Sequence, residues 1–382
     1  MKSNEQKEHK QKEPRALFIL KRREDYSTDL ENFTNFTVST GMYNSARFVS
    51  DMIEKSGIES KVVVVLDNNC IDREVNEFKP THVFIEGYWV VPDKFDVLTK
   101  LHPEVTWVVR CHSEMPFLSQ EGVAIDWTFE YLRRGITVSG NSPRINRELR
   151  VIASSSLGLD IKQLEDKIPL LSNYYPVDKF TFGLKPMNGV VNVGCFGACR
   201  PLKNHLIQAI AAIEYAEYHK LKLKFHINSG RIEMNGANQL KNIKSLFEAH
   251  KEHELVEHPW ASHEDFLSVI KSMDICLQVS FTETFNIVTA DAVNLGIPVL
   301  TSAEIDWVEV PHANPTSSVD IFEKMNQVMS GRNHLVEKNR DKLKRYSRQS
   351  SVRWVDYLKG KRGLFGLNLD TFNKTDDFYY ND

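Results

Sequence analysis

The sequence predicts an α/β protein in two parts, each a parallel sheet with helices on both faces. Three observations predict it. Short apolar segments with strand character alternate with helical ones, the pattern a parallel sheet requires because each crossover is usually a helix. The alternation comes in two runs, separated by a connector over residues 168–179. At 382 residues, with 41% hydrophobic and 26% charged residues, the chain also exceeds what one hydrophobic core usually organises.

Residues 1–14 are a polar tail ending at Pro14, too poor in apolar side chains to order itself and expected to be disordered. Residues 16–20 read as the first buried strand. A polar loop with several aromatics, 26–40, leads through Gly41 to a helix over 44–55 that Gly57 stops. Segments 61–66, 82–86, 106–111 and 136–139 are further short apolar strands between polar or turn residues, and the last precedes a helix capped at Ser142-Pro143. The first domain spans 15–175 on this reading and the second 176–350. In the second, strands are expected over 190–194, 223–227, 274–279 and 298–301, and helices over 204–219, 238–250, 262–273 and 285–295. The chain then stays helical to about residue 359, and residues 351–382 form a helix that returns to the first domain, followed by an aromatic, acidic tail.

Composition narrows the function classes. A formal net charge of −3 gives no overall attraction to nucleic acid. No apolar run reaches the ~18–20 residues that span a bilayer. The amino terminus is charged from Lys2 to Arg15 and lacks a signal-peptide core, so a cytoplasmic protein is expected. Five cysteines, Cys70, Cys111, Cys195, Cys199 and Cys276, are an odd, scattered set that suits small buried hydrophobes in a reducing compartment.

The stretch Gln278 to Leu300 carries the chemistry. It places two carboxylates, Glu283 and Asp291, about two turns or ~12 Å apart at the start of a short helix between two strands. Acids so placed lie at the carboxyl end of a sheet, where open α/β folds bind ligands. A second constellation follows the strand at 190–194: Gly194, Gly197, Arg200 and Lys203. Glycines let backbone approach a ligand, and the helix that follows offers unpaired N–H groups to an anion. Arginine adds a planar fork and lysine a mobile point charge.

These residues resemble the carboxyl-domain signature of retaining GT-B glycosyltransferases of the family 4 type. There an E-x7-E element precedes Gly-x-Pro-Val; here it reads Glu283-x7-Asp291, then Gly296-Ile297-Pro298-Val299. Two positions depart from the pattern: Asp291 replaces Glu, and Asn286 stands where the family usually has Gly. The resemblance implies the GT-B fold, two Rossmann-like α/β/α domains with parallel sheets facing across a cleft. It implies transfer of a sugar from a nucleotide sugar to an acceptor hydroxyl with retention, without a metal or other cofactor, UDP-sugar being favoured and GDP-sugar admitted. By resemblance, Arg200 and Lys203 would grip the donor phosphates, Glu283 the sugar hydroxyls and Asp291 the ribose. Gly41, Gly194, Gly197, Thr284, Phe285, Asn286 and Thr289 would complete the donor site, and His112 would face the transferred sugar.

The acceptor side is less constrained. Glu86, Tyr88, Trp89 and Arg144 are acceptor candidates, and Arg144, Arg147 and Arg150 recur every three residues as a loose helical stripe, which is also how an ordinary solvated face looks. A saccharide, a lipid-linked sugar, a small molecule or DNA carrying a hydroxymethylated base all remain admissible. Competing motifs are missing: there is no G-x-x-x-x-G-K-[ST], and His263-Glu264 lacks the second histidine of H-E-x-x-H. The amino half also lacks Asp-x-Asp after a strand, which separates it from metal-dependent glycosyltransferases. A strand-end histidine is often only structural, and the two departures also fit a non-catalytic protein that kept the shell. The domains are expected to close over the donor, hinged near 171–178.

Overall fold

The computed structural model describes residues 13–22, 41–178 and 188–361. Most of the expected amino-terminal tail, the aromatic loop 26–40 and the last segment of the chain lie outside these residues. In the amino half, strands β1 (Arg15–Lys21), β2 (Glu59–Val65), β3 (His82–Glu86), β4 (Thr106–Cys111) and β5 (Thr137–Gly140) pair in the order β2-β1-β3-β4-β5. In the carboxyl half, β6 (Val190–Cys199), β7 (Lys222–Ile232), β8 (Glu254–His258), β9 (Ile275–Gln278) and β10 (Val299–Thr301) pair as β10-β9-β6-β7-β8. Every pairing is parallel.

Helices fill the crossovers: α1 (Gly41–Lys55), α2 (Ile71–Phe78), α3 (Lys94–Leu101), α4 (Met115–Leu118), α5 (Ala124–Arg133) and α6 (Pro143–Leu157) in the first half. The second half has α7 (His205–Tyr218), α8 (Gly236–Ala249), α9 (His263–Ile270), α10 (Ile287–Asn294), α11 (Ser318–Ser330) and α12 (Arg332–Leu358). Local chemistry fixes the ends of α6. Ser142 accepts the Ile145 N–H, Pro143 opens the first turn, and Gly158 stops the helix at φ 64°.

Period-two alternation builds the layers. Along β1, Leu17 and Ile19 enter one core, while Ala16, Phe18 and Leu20 enter the core on the other face. On β9, Ile275 and Leu277 face one side and Cys276 the other. The four cysteines other than Cys70 are buried.

The structure corrects the sequence reading at three places that matter. β6 does not end at Gly194 but runs to Cys199, with register shifts against β7, so the glycine-bearing segment belongs to the central strand of the sheet. β8 was not expected: as an edge strand it buries little, and Glu254 to His258 shows no apolar run. α10 begins at Ile287, two residues later than expected, so Thr284, Phe285 and Asn286 join Glu283 on the loop before the helix.

α12 is 27 residues long, about 40 Å of helix. Near its middle Tyr346 stacks on Phe285 of the second half, with ring centroids 5.0 Å apart. Toward its end Trp354, fully buried, meets Phe84 of β3 at 5.0 Å and donates from Nε1 to the Ser172 carbonyl at 2.8 Å. One helix thereby packs on both halves. Among the described residues no helix is long and apolar enough to cross a membrane. Trp354→Ala is expected to cost roughly 3–5 kcal/mol by opening this cavity, whereas Trp354→Phe, which removes chiefly the indole hydrogen bond, should cost about 1 kcal/mol. Urea unfolding curves of the two variants measure the difference.

Candidate functional site

Strand order reverses between β1 and β3 in the first sheet and between β6 and β9 in the second. Loops leaving the carboxyl ends of strands at such points frame the ligand crevice of open α/β sheets. In the second half these loops carry Arg200 and Lys203 after β6, and Glu283 to Asn286 after β9.

Gly197 has φ 118°, a backbone state that glycine adopts without a Cβ penalty, and its N–H donates to Asn228 Oδ1 at 3.1 Å. A Cβ there would lie 3.4 Å from Lys203 Cε, so the glycine leaves room for the lysine. Lys203 Nζ reaches Glu283 Oε1 at 2.5 Å, with both side chains largely buried. Arg200 pairs with Glu233 at 3.3 Å and lies 4.7 Å over the ring of Phe117 on α4 of the first half. On the β9–α10 segment that carries Glu283, the hydroxyls of Ser280, Thr282 and Thr289 are buried without a hydrogen-bond partner in the protein. Buried polar groups are nearly always satisfied, by protein or by ordered water, so these hydroxyls have hydrogen-bonding capacity to spare.

Asn286 accounts for the departure noted in the sequence. Its φ is 54°, on the left-handed side that glycine favours and that asparagine tolerates better than most residues. The side chain adds what glycine cannot: Oδ1 accepts the Thr289 N–H at 2.9 Å and caps α10, while Nδ2 donates to Gln278 at 2.8 Å.

The other expected donor residues have packing or hydrogen-bond partners of their own. Gly194 lies inside the sheet beneath Phe196, whose ring an added Cβ would meet at 2.4 Å, so its smallness serves packing. Phe285 is buried between Trp307 and Tyr346. Asp291 is 1% exposed, and Oδ1 accepts from Tyr175 at 2.7 Å and bonds His263 Nε2 at 2.8 Å. Burial raises its pKa, although His263 and Tyr175 favour the charged form. Gly41, the first residue of α1, faces the start of α10: a Cβ would stand 3.3 Å from Ile287 Cγ2.

The first half supplies a second network. Glu86 is 1% exposed, and both its oxygens bond Arg110, at 2.8 and 3.0 Å. Glu86 also holds His112 Nε2 in a short contact. Burial alone would raise the Glu86 pKa, but Arg110 and His112 outweigh it and the net shift is downward. Glu86 thus orients His112, and its oxygens are turned to these partners instead of an acceptor. Tyr88 likewise turns its hydroxyl to Thr128 at 2.9 Å, and Trp89 packs against the first core. Arg150 is buried and donates twice to the Ile168 carbonyl, so no stripe with Arg144 and Arg147 exists.

Arg144 binds neither face alone. It meets Glu114 of the first half at 3.2 Å, and Glu304 at 2.7 Å and the Glu283 carbonyl at 3.2 Å in the second. Burial raises the pKa of Glu114, which Ser142 and Arg144 only partly offset. Thr284 adds a second stitch, donating to the His112 carbonyl at 3.2 Å and accepting from Asn141 at 3.3 Å. Sequence reading missed Arg110, Glu114, Asn141, Tyr175 and Glu304, none of which stands in a short motif. His263 was visible only as half of a zinc helix. Among the described residues one group has metal-ligand spacing, Glu217, Glu252 and His253. It flanks the amino ends of β7 and β8, and His253 Nδ1 accepts the Leu223 N–H at 3.1 Å, which leaves the proton on Nε2 in place of a free lone pair.

Asn286→Ala is expected to lose ~2 kcal/mol, from the cap and from left-handed strain together. Asn286→Gly should recover the backbone share, and chemical denaturation of both variants separates the two. Arg144→Ala cuts one stitch between the halves; small-angle scattering should show a larger radius of gyration than wild type.

No protein-family model and no curated protein matches this sequence. Solved structures do. The N-terminal domain of Candida albicans trehalose-6-phosphate phosphatase aligns over 91% of this chain and 97% of that one, with 12% identity and a TM-score of 0.65. Sucrose-phosphate synthase from Thermosynechococcus elongatus aligns over 91% and 98%, with 13% identity and a TM-score of 0.64. Anabaena HepE, solved with UDP and glucose, aligns over the same shares at 11% identity and a TM-score of 0.57. At such identities the likeness is one of fold, and the fold is GT-B: two Rossmann-like α/β/α units with parallel sheets.

Proposed function

We propose that this chain is a glycosyltransferase that moves a sugar from a nucleotide-sugar donor to an acceptor hydroxyl with retention of configuration. The observation that carries the proposal is convergence: Arg200 and Lys203 stand with three unsatisfied hydroxyls on one half, and Thr284 beside them bonds the His112 carbonyl of the other. A diphosphate brings acceptor oxygens for these hydroxyls and enough negative charge to compete with Glu283 and Glu233 for the two cations.

In this reading Arg200 and Lys203 stabilise charge growing on the departing diphosphate, an effect that counts because it strengthens in the transition state. Lys203 exchanges its partner Glu283 for phosphate, which frees Glu283 for sugar hydroxyls. Nε2–H of His112 is held by Glu86, and its Nδ1, with only Asn141 at 3.5 Å, accepts a hydroxyl of the transferred sugar. The bond from the anomeric carbon to the diphosphate breaks as the bond to the acceptor oxygen forms on the same face. The acceptor proton passes to the departing phosphate. Charge on the diphosphate is met by side chains, so no metal is assigned. UDP is the favoured nucleotide, in line with the Anabaena structure that holds it. The acceptor, a saccharide, lipid-linked sugar or small molecule, enters from the first half; without an Arg144–Arg150 stripe, DNA is the less favoured choice.

Calorimetry with UDP, GDP and ADP, followed by donor hydrolysis without acceptor, tests the proposal. Binding of one nucleotide at micromolar strength and slow hydrolysis are expected. Lys203→Ala and Arg200→Ala should each lower turnover roughly 10²-fold or more, with circular dichroism still showing the folded chain. Tight binding without any turnover would favour a non-catalytic binding protein, and no binding to any of the three would reject both.

A further inference from the structure

We propose that His263, held by Asp291, presents its ring Nδ1 to the ribose hydroxyls of the bound nucleotide, doing what the second acid of E-x7-E would otherwise do. The inference rests on the nucleotide-sugar reading and assigns a specificity residue to it.

Three facts carry it. Asp291 is one methylene shorter than Glu and 1% exposed, so its carboxylate stops below the surface of the cleft wall. Its Oδ1 already accepts from Tyr175, itself 2% exposed, and meets His263 Nε2 at 2.8 Å. Of these three side chains only His263 opens to solvent, at 22%. The bond to Asp291 fixes the tautomer of the neutral ring: Nε2 carries the proton and Nδ1 a lone pair, as when a carboxylate orients a metal-bound or catalytic histidine. The ring is also held in place. It lies 5.7 Å from Phe48 of α1, and Ser262 caps α9 immediately before it. The acid therefore acts as a positioning residue and the imidazole as the contact. The shorter acid and the added histidine then form one compensated unit, which accounts for the Glu-to-Asp departure without loss of binding.

The test uses the full chain and the tighter-binding of UDP and GDP, with its 2′-deoxy and 3′-deoxy forms, in calorimetry. Wild type should prefer the ribonucleotide over at least one deoxy form by about tenfold, the worth of one hydrogen bond. His263→Ala should bind the ribonucleotide about tenfold more weakly and the deoxy form unchanged, erasing the preference. His263→Phe keeps the ring beside Phe48 without nitrogens and should behave the same, which covers a poorly folded alanine variant. Asp291→Asn, which leaves an oxygen for Tyr175 but no charge to hold the ring, should lower the preference less. Variants that weaken both ligands equally, or that keep the preference, would overturn the inference. Wild-type binding without preference would overturn it and leave the nucleotide-sugar reading standing; absence of binding to UDP and GDP would overturn both.

Discussion

Arg110 is the interaction on which the rest of the arrangement depends. It is wholly buried on β4, and its guanidinium bonds Glu86 of β3 twice, the Leu171 carbonyl and Asn173 of the connector, and lies 4.8 Å over Trp354 of α12. A cation taken out of water is tolerated when its charge is balanced and most of its donors are met; here both terminal nitrogens are bonded and only Nε has no partner. Meeting that demand draws two strands, the connector and the last helix to one point. It also decides the orientation of His112, because the carboxylate that balances Arg110 holds the imidazole.

The two sheets are joined through polar contacts as well as through α12. Arg144 and Thr284 each bond both halves, and Arg200 of one half rests on Phe117 of the other. The cations of the gap already have acidic partners, Lys203 with Glu283 and Arg200 with Glu233. Such pairing holds both cations in fixed positions. On the proposed reading a phosphate must compete with these carboxylates, which favours a ligand carrying more than one charge.

Much of the fold was legible in the chain because alternation and helix stops are local signals. Ala16 to Leu20, His82 to Glu86 and Ser142-Pro143 announced their elements within a residue or two. Errors fell where local signals are weak: β8 is a polar edge strand, and the glycines after Val193 read as a loop although β6 continues through them. Of the residues singled out from the sequence, Lys203 and Glu283, 80 residues apart, form an ion pair, and Arg200 pairs with Glu233. Glu86, Tyr88 and Arg144 were taken for acceptor contacts because strand ends and exposed-looking arginines suggest binding. Their partners lie 24, 40 and 160 residues away, beyond what a pattern can show.

The sequence by itself therefore determined the layers, the strand-and-helix rhythm and the residue types gathered at the carboxyl edges, since each follows from periodicity and short-range chemistry. Only tertiary structure decided which of those residues face the cleft. Asp291 shows why: its place in E-x7-D is a one-dimensional fact, but its exposure depends on Tyr175 and His263, which approach from 116 and 28 residues away. Asn286 shows the converse. The sequence marked it as a departure, and only the backbone angle of 54° turned the departure into a fit.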